Sequence, residues 1–238
     1  MECLIAFFKK RCRGNEMIEQ EDQENLFRLI SSYIKRDTVC YAFGGTAMMY
    51  YGYKNATKDI DLLFETQENY DSFIGALFIL GYKKMSMLAV YPSDLGREKK
   101  KPEMFTRDDE RFDLFLKYIF QTKFREEIKK RFFARHDYTM GKNTLTIFVL
   151  SKEDIIFLKS ITRREKDFDD ILTIIQRENF INWGLIIDEA LWQAKHGDGW
   201  AIMDLEETLQ RLKKIIFLKN EYFEKLYQRS RKDHKKTL

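Results

Sequence analysis

Three aspartates stand in apolar surroundings where an unpaired carboxylate is costly. Asp59 and Asp61 begin the segment "DIDLLF", and Asp113 interrupts the apolar run "RFDLFL". Side chains alternate between the faces of a strand, so Asp59 and Asp61 are expected to point the same way and to repel each other. A hard divalent cation such as Mg²⁺ would relieve that repulsion, because it takes carboxylate oxygens as ligands. The alternatives are solvated acids on an edge strand and, for Asp113, a basic partner or solvent.

A glycine turn precedes these acids in the chain. Gly44, Gly45 and Thr46 follow a short β-prone run and open a helical one. Glycine lets the backbone approach a ligand closely, and the first N–H groups of a helix attract phosphate. Thr46 could donate its hydroxyl to the ligand or cap the helix. A plain tight turn is the alternative, but beside an Asp-x-Asp pair the turn indicates a site for a polyphosphate and its metal ions.

The elements around this motif follow from the spacing of apolar residues. We expect a helix over 25–34, a buried strand over 38–43, a short helix over 46–52 closed by Gly52, and a second strand over 59–64. The turn then lies between a strand and a helix, and the acids lie on the next strand.

The pattern changes from strands to helices along the chain. Ser151 and Asp154 are spaced as a capping box, and from Ser151 onward the pattern is almost wholly helical. The expected elements are a helix over 70–81, a strand over 85–91, a polar loop over 92–110 with both prolines, a strand over 111–120, a mixed helical stretch over 124–138, a strand over 144–150, and helices over 169–178, 182–195 and 205–229.

This segregation predicts an α+β fold, in which a small mixed β-sheet core flanked by helices is followed by an all-helical C-terminal subdomain. The expected divisions are an N-terminal extension at 1–24, the core at 25–150, and the helical subdomain with a basic tail at 151–238.

Composition bounds the partners and the compartment. The 238 residues are 44% hydrophobic with a net charge of +4, which allows a nucleotide or nucleic-acid partner without requiring one. The three cysteines, Cys3, Cys12 and Cys40, have no metal-ligand spacing and favour a reducing cytoplasm.

Neither end of the chain carries a membrane-spanning pattern. The N-terminal "CLIAFFKKRCR" is far shorter than the ~20 apolar residues of a membrane span, so we expect no membrane partner. A helix packed on the body is expected there, with a membrane-surface contact as the alternative. The tail "RSRKDHKKTL" is interpreted as a solvated end, with an RNA-contacting arm as the alternative.

The glycine turn, the Asp-x-Asp strand and a later strand aspartate together resemble the DNA polymerase β-type nucleotidyltransferase superfamily. The resemblance implies that Gly44, Gly45 and Thr46 hold a nucleoside triphosphate. It also implies that Asp59 and Asp61 bind two Mg²⁺ ions, with Mn²⁺ as an alternative, and that Asp113 helps to activate the attacking hydroxyl as a base or metal ligand.

A second stretch, "LSKEDIIFLKSITRREKDFDDILTI", resembles the segment after the catalytic core in abortive-infection toxin-like (AbiEii-like) nucleotidyltransferases. Lys159, Arg164, Lys166, Asp167 and Asp170 match its polar places. The resemblance implies that Lys159 contacts the triphosphate with Asp170 as its orienting partner, and that Arg164 and Lys166 help to bind the nucleotide. The other interpretation of the two acids is an N-cap and a first-turn acid facing the helix dipole.

Residues at three places in this stretch depart from the family pattern. Thr162, Arg163 and Glu165 stand where the family usually has Ala, Gly and Pro. These changes bear on the shape of the loop more than on its polar residues.

The implied activity is an Mg²⁺-dependent transfer of a nucleoside monophosphate from a triphosphate such as ATP to a hydroxyl or phosphate acceptor. Toxin-like relatives favour RNA such as tRNA as the acceptor and an antitoxin protein as a partner, whereas other branches modify small molecules or proteins. The alternative is a non-catalytic nucleotide- or RNA-binding module that retains the fold.

Overall fold

The computed structural model describes residues 17–85 and 101–234. The N-terminal patch with Cys3 and Cys12, the strand predicted at 85–91 apart from Met85, and residues 235–238 lie outside the described residues. The chain divides into two compact units. The described part of the first comprises residues 17–85, 101–117 and 135–149, and that of the second comprises residues 118–134 and 150–234.

The strands that carry the candidate acids lie at the centre of a seven-stranded sheet in the first unit. Its order is β10-β11-β2-β4-β7-β6-β5. Strand β4 runs parallel to β7 and antiparallel to β2, while β2 runs parallel to β11, so the predicted mixed sheet and α+β fold are confirmed. The strands are β2 (Thr38–Ala42), β4 (Ile60–Phe64), β5 (Lys83–Met85), β6 (Glu103–Arg107), β7 (Glu110–Leu116), β10 (Ala134–Tyr138) and β11 (Leu145–Val149). A separate antiparallel pair joins β1 (Ile18–Glu19) to β3 (Ala56–Thr57).

One face of this sheet packs into the hydrophobic core of the first unit. Helices α1 (Gln20–Ser31) and α3 (Gln67–Ile79) pack on it. Alternate residues of the central strands, such as Ile60, Leu62 and Phe64, are fully buried there. Because side chains alternate, Asp61 faces the opposite side of the sheet.

Two predictions before residue 150 are wrong in part. The loop predicted over 92–110 contains strand β6, which pairs with β5 on one side and β7 on the other. The stretch over 124–138 holds only a four-residue helix, α4 (Glu126–Lys129), before it becomes strand β10. In both stretches the charged residues conceal short strands, because pairing within the sheet overrides the local pattern.

The described part of the second unit is mainly helical. Ser151 begins its first long helix as predicted, since Ser151 Oγ accepts a hydrogen bond from Asp154 N at 3.2 Å. The run predicted as one pattern over 205–229 is divided between two helices. The helices are α5 (Lys152–Ser160), α6 (Glu165–Arg177), α7 (Trp183–His196), α8 (Ala201–Leu212) and α9 (Asn220–His234), with a short antiparallel pair of β8 (Tyr118–Ile119) and β9 (Thr122–Lys123). Across the described residues, no helix combines the length and apolarity needed to cross a membrane.

A buried carboxylate organises part of this unit. Glu189, only 1% exposed, accepts a pair of hydrogen bonds from Arg125 at 3.1 and 2.9 Å, one from Arg131 at 2.8 Å and one from Gln193 at 2.8 Å. Burial raises the pKa of Glu189, but the two guanidinium groups outweigh burial and the net pKa is lowered. The charge on Glu189 is therefore satisfied inside the helical unit.

Candidate active site

The glycine turn lies directly against the second aspartate of the Asp-x-Asp pair. Helix α2 (Gly44–Tyr50) begins at Gly44, whose φ of +57° lies in the left-handed region. A Cβ atom at Gly44 would stand 2.4 Å from Asp61 Oδ2, which no real side chain tolerates. Glycine is needed here both for the backbone conformation and for the close approach to the carboxylate.

The next two residues of the turn are fixed to the segment before β4. A Cβ atom at Gly45 would stand 2.4 Å from Thr57 Oγ1, and Thr57 donates its hydroxyl proton to the Asp59 carbonyl at 3.1 Å. Thr46 is fully buried, and its Oγ1 accepts a hydrogen bond from Asp61 N at 2.8 Å. Thr46 therefore holds the acidic strand against the turn instead of capping the helix, whose N-cap is Phe43.

The three candidate acids lie on two neighbouring parallel strands. Asp61 on β4 and Asp113 on β7 are direct partners in the register, and Asp59 immediately precedes β4. Asp113 is 1% exposed, whereas the Asp59 side chain is 23% exposed. The structure therefore places the sequence-distant Asp113 beside Asp61 of the Asp-x-Asp pair.

A basic residue that the sequence analysis did not single out bridges two of these acids. Arg111 Nε lies 3.0 Å from Asp113 Oδ1, and its Nη2 donates to Asp113 Oδ2 at 3.3 Å and to Asp59 Oδ2. The Arg-x-Asp spacing in "RFDLFL" could have indicated the contact of Arg111 with Asp113, because it places both side chains on one face of a strand. No sequence pattern indicates the contact of Arg111 with Asp59, which lies far away in the sequence.

The donor set agrees with a hard divalent cation, although the guanidinium occupies part of it. Among the described residues, no group of three or more His, Cys, Asp or Glu side chains is arranged to hold a metal ion. Arg111 already bridges the carboxylates of Asp59 and Asp113, and Asp61 lies in register with Asp113. These three carboxylates nevertheless offer the oxygen ligands that Mg²⁺ prefers.

Three candidate residues of the second unit, Lys159, Asp167 and Asp170, form a buried cluster. Lys159 Nζ donates to Asp167 Oδ1 at 2.9 Å and to Asp170 Oδ2 at 2.6 Å. Thr162 and Arg164 donate to the other oxygen of Asp167 at 2.5 and 2.6 Å. The predicted contact between Lys159 and Asp170 is thus present, and Asp167 shares it. A role for Lys159 at a triphosphate stays a prediction.

Charge and burial shift the pKa values of this cluster. Burial lowers the pKa of Lys159, but the carboxylates of Asp167 and Asp170 raise it by more than burial lowers it, so the pKa is raised overall. Burial also raises the pKa of Asp167, yet Lys159 and Arg164 outweigh burial and lower it to about 2. Arg164 and Lys166 are exposed. Of the five residues that match the toxin-like pattern, only Lys159, Asp167 and Asp170 are buried.

The places that depart from the family pattern keep a backbone that suits the usual residues. Arg163 has φ +57°, a left-handed conformation that glycine adopts easily. Glu165 is the first residue of α6, where proline is favoured. Arg163 is held by an ion pair from its Nε to Asp204 Oδ1 at 2.5 Å.

No protein-family model matches this chain, and no curated protein sequence is significantly similar to it.

Proposed function

We propose that the chain is an Mg²⁺-dependent nucleotidyltransferase that moves a nucleoside monophosphate from a nucleoside triphosphate to a hydroxyl or phosphate acceptor. One observation carries the proposal. The Gly44 backbone lies so close to Asp61 that a Cβ atom would stand 2.4 Å from its carboxylate, while Asp61 pairs in register with Asp113. A turn that receives phosphates and carboxylates that hold their metal ions must be neighbours, because the metal joins the two.

Each residue of the constellation has a distinct task in this proposal. Asp59, Asp61 and Asp113 would hold the divalent ions, and Asp113 is also the candidate base for the acceptor. Bound divalent ions would lower the pKa of the attacking group and neutralise charge on the departing pyrophosphate. Gly44 and Gly45 would let the backbone reach the triphosphate. Thr46 would keep the turn in place through its hydrogen bond to Asp61 N.

The loop before α6 supports the same superfamily. The left-handed φ of Arg163 and the first-turn position of Glu165 coincide with the places where the toxin-like pattern has Gly and Pro. On the resemblance to the toxin-like enzymes, we propose RNA such as tRNA as the acceptor and an antitoxin protein as a partner.

Label transfer tests the proposal directly. The purified chain is incubated with each α-³²P-labelled nucleoside triphosphate, Mg²⁺ or Mn²⁺, and total RNA or protein extract, and the label is then located. We expect labelled RNA with the unchanged protein and none with Asp61→Asn. In metal-free buffer the thermal stability of Asp61→Asn should equal or slightly exceed that of the unchanged chain, because one of several repelling carboxylates is gone. Full transfer by Asp61→Asn would refute the assignment.

Binding of the triphosphate is tested separately from transfer. A ligand that binds only the folded chain raises its Tm, so a nucleoside triphosphate with Mg²⁺ should do so. Gly45→Val should remove most of that gain, because its Cβ has no room beside Thr57. A full gain in Gly45→Val would place the phosphates elsewhere.

A second candidate is a non-catalytic nucleotide- or RNA-binding module with the same fold. The observation that favours it is the ion pairing of Arg111 with Asp59 and Asp113, which gives both acids a cationic partner without a metal. This candidate predicts a rise in Tm with triphosphate that does not need Mg²⁺, and no transfer of label to any acceptor.

A further inference from the structure

Arg111 and a divalent cation would compete for the same carboxylate oxygens. The guanidinium contacts both oxygens of Asp113, at 3.0 Å from Nε and 3.3 Å from Nη2, and it also contacts Asp59 Oδ2. These are the oxygens that the proposed function assigns to metal ions. A guanidinium has donors and no acceptor, so it cannot act as a ligand beside the metal.

Charge reinforces this competition. A divalent cation bound to Asp59 and Asp113 would stand within a few ångströms of the guanidinium, and like charges at that distance repel strongly in a partly buried site. Asp113 is 1% exposed and needs a cationic partner in either state. The site therefore holds either the guanidinium or the metal on these oxygens.

Arg111 is the member of the triad that can leave. Its side chain is 24% exposed and is long enough to turn into solvent by rotation about its own bonds, with no change in strand β7. The Asp113 side chain is buried, and its strand is paired on both sides by β4 and β6. Exchange of the counter-ion thus needs one side-chain movement.

We propose that Arg111 is an exchangeable counter-ion, which holds Asp59 and Asp113 in a latent state and is displaced when a divalent cation binds. The inference rests on the proposed function, since it concerns the same metal site. In the latent state Asp59 and Asp113 have a cationic partner without metal, and a divalent cation binds only if it outweighs the ion pairs that Arg111 loses.

Mn²⁺ binding to the full chain without nucleotide tests the inference. Free Mn²⁺ is measured by electron paramagnetic resonance during titration of the unchanged chain, Arg111→Gln and Arg111→Lys. We expect Arg111→Gln to bind Mn²⁺ about tenfold more tightly or better, within the range of ordinary coupling between two ligands. Arg111→Lys should bind several-fold more tightly than the unchanged chain, because one ammonium group cannot bridge two carboxylates as a planar guanidinium does.

A matched control separates this effect from a general loss of positive charge. Arg107 lies on the neighbouring strand β6 and pairs with Glu110 at 2.8 Å, so Arg107→Gln removes the same charge from the same sheet. Its Mn²⁺ affinity should equal that of the unchanged chain. Melting in chelator adds a second readout. Arg111→Gln should have the lower Tm without metal and the larger gain in Tm on addition of Mn²⁺.

The outcomes distinguish the inference from the function it rests on. Equal or weaker Mn²⁺ binding by Arg111→Gln and Arg111→Lys, with clear binding by the unchanged chain, overturns the counter-ion role and leaves the metal site standing. An absence of Mn²⁺ binding by every variant at millimolar metal overturns the metal site itself and the inference with it. If Arg111→Gln folds only with Mn²⁺, that dependence supports the exchange. If it fails to fold at all, Arg111→Lys decides by the same comparison.

Discussion

Replacement of Asp167 by Asn tests whether charge holds the buried cluster of the second unit together. Asp167 accepts hydrogen bonds from Lys159 at 2.9 Å, from Arg164 at 2.6 Å and from Thr162 at 2.5 Å, and its side chain is 3% exposed. Its pKa is about 2, against 3.8 for an ordinary aspartate. The difference corresponds to roughly 2 kcal/mol of stability at neutral pH, since solvent screens this buried group little.

The pH dependence has a definite sign. Because the folded pKa of Asp167 lies below the unfolded value, its stabilisation is complete well above pH 3.8 and disappears as the pH falls through about 2. About half of it should be gone near pH 3. We therefore expect Asp167→Asn to cost roughly 2 kcal/mol at pH 7 and roughly 1 kcal/mol at pH 3.

Tryptophan fluorescence during urea unfolding measures this loss in the relevant part of the chain. The three tryptophans of the sequence, Trp183, Trp192 and Trp200, all belong to the second unit. Their signal therefore reports its unfolding, and the midpoint and slope give the free energy. Asp169→Asn is the control, because it is the same change at an exposed position of the same helix and should cost less than about 0.5 kcal/mol at either pH.

Two results would refute the reasoning. If Asp167→Asn costs no more than Asp169→Asn at pH 7, the ion pairs do not stabilise the unit. If the cost for Asp167→Asn is the same at pH 3 as at pH 7, the carboxylate does not titrate with a lowered pKa. In that case packing of the side chain, and not its charge, would account for the loss.

Three further predictions concern single positions. Gly44→Ala should lower the Tm in circular-dichroism melts by more than Gly52→Ala, by about 1–3 kcal/mol in stability; both have positive φ, but only Gly44 has a carboxylate oxygen 2.4 Å from the added Cβ, and equal losses would contradict this. Glu189→Gln should cost about 1–3 kcal/mol in urea unfolding, because buried Glu189 loses its charge-assisted hydrogen bonds while Arg125 keeps Glu127 and Arg131 keeps Asp154, and a cost below about 0.5 kcal/mol would show that its charge is not needed. Arg163→Ala should cost about 1–3 kcal/mol by the same assay because buried Asp204 loses its ion pair with Arg163, and Arg163→Gly should recover part of that loss by relieving the left-handed strain; no difference between the two would exclude strain there.

The parts of the site that sequence predicted are those with local signals. The strand–turn–helix around Gly44 and the Asp-x-Asp strand follow from short apolar runs and glycine. The start of α5 follows from Ser151 and Asp154, whose capping contact needs only neighbours in the chain. The grouping of Asp113 with Asp61 required only that its strand pair with β4, and the register confirms it.

The parts that sequence missed depend on pairing within the folded sheet. Strand β6 begins directly after Pro102, and Glu103, Thr106 and Arg107 make it polar, so its own residues do not mark it as a strand, although it pairs with the following strand β7 and with β5. The bridge from Arg111 to Asp59 spans two strands that adjoin only in the folded sheet. The need of Asp113 for a basic partner or a metal was foreseeable from its apolar flanks. That this basic partner is Arg111 could not be foreseen from the sequence.

The loop before α6 shows why residue type and backbone shape must be considered separately. Arg163 stands where the resembling family usually has glycine, yet its φ is +57°, the conformation that glycine would take most easily. Thr162 and Arg164 on either side are both bonded to Asp167, which is in turn bonded to Lys159. These contacts fix the loop from both sides, so its shape no longer depends on glycine at position 163, and the arginine there gains an ion pair to Asp204 that glycine could not make.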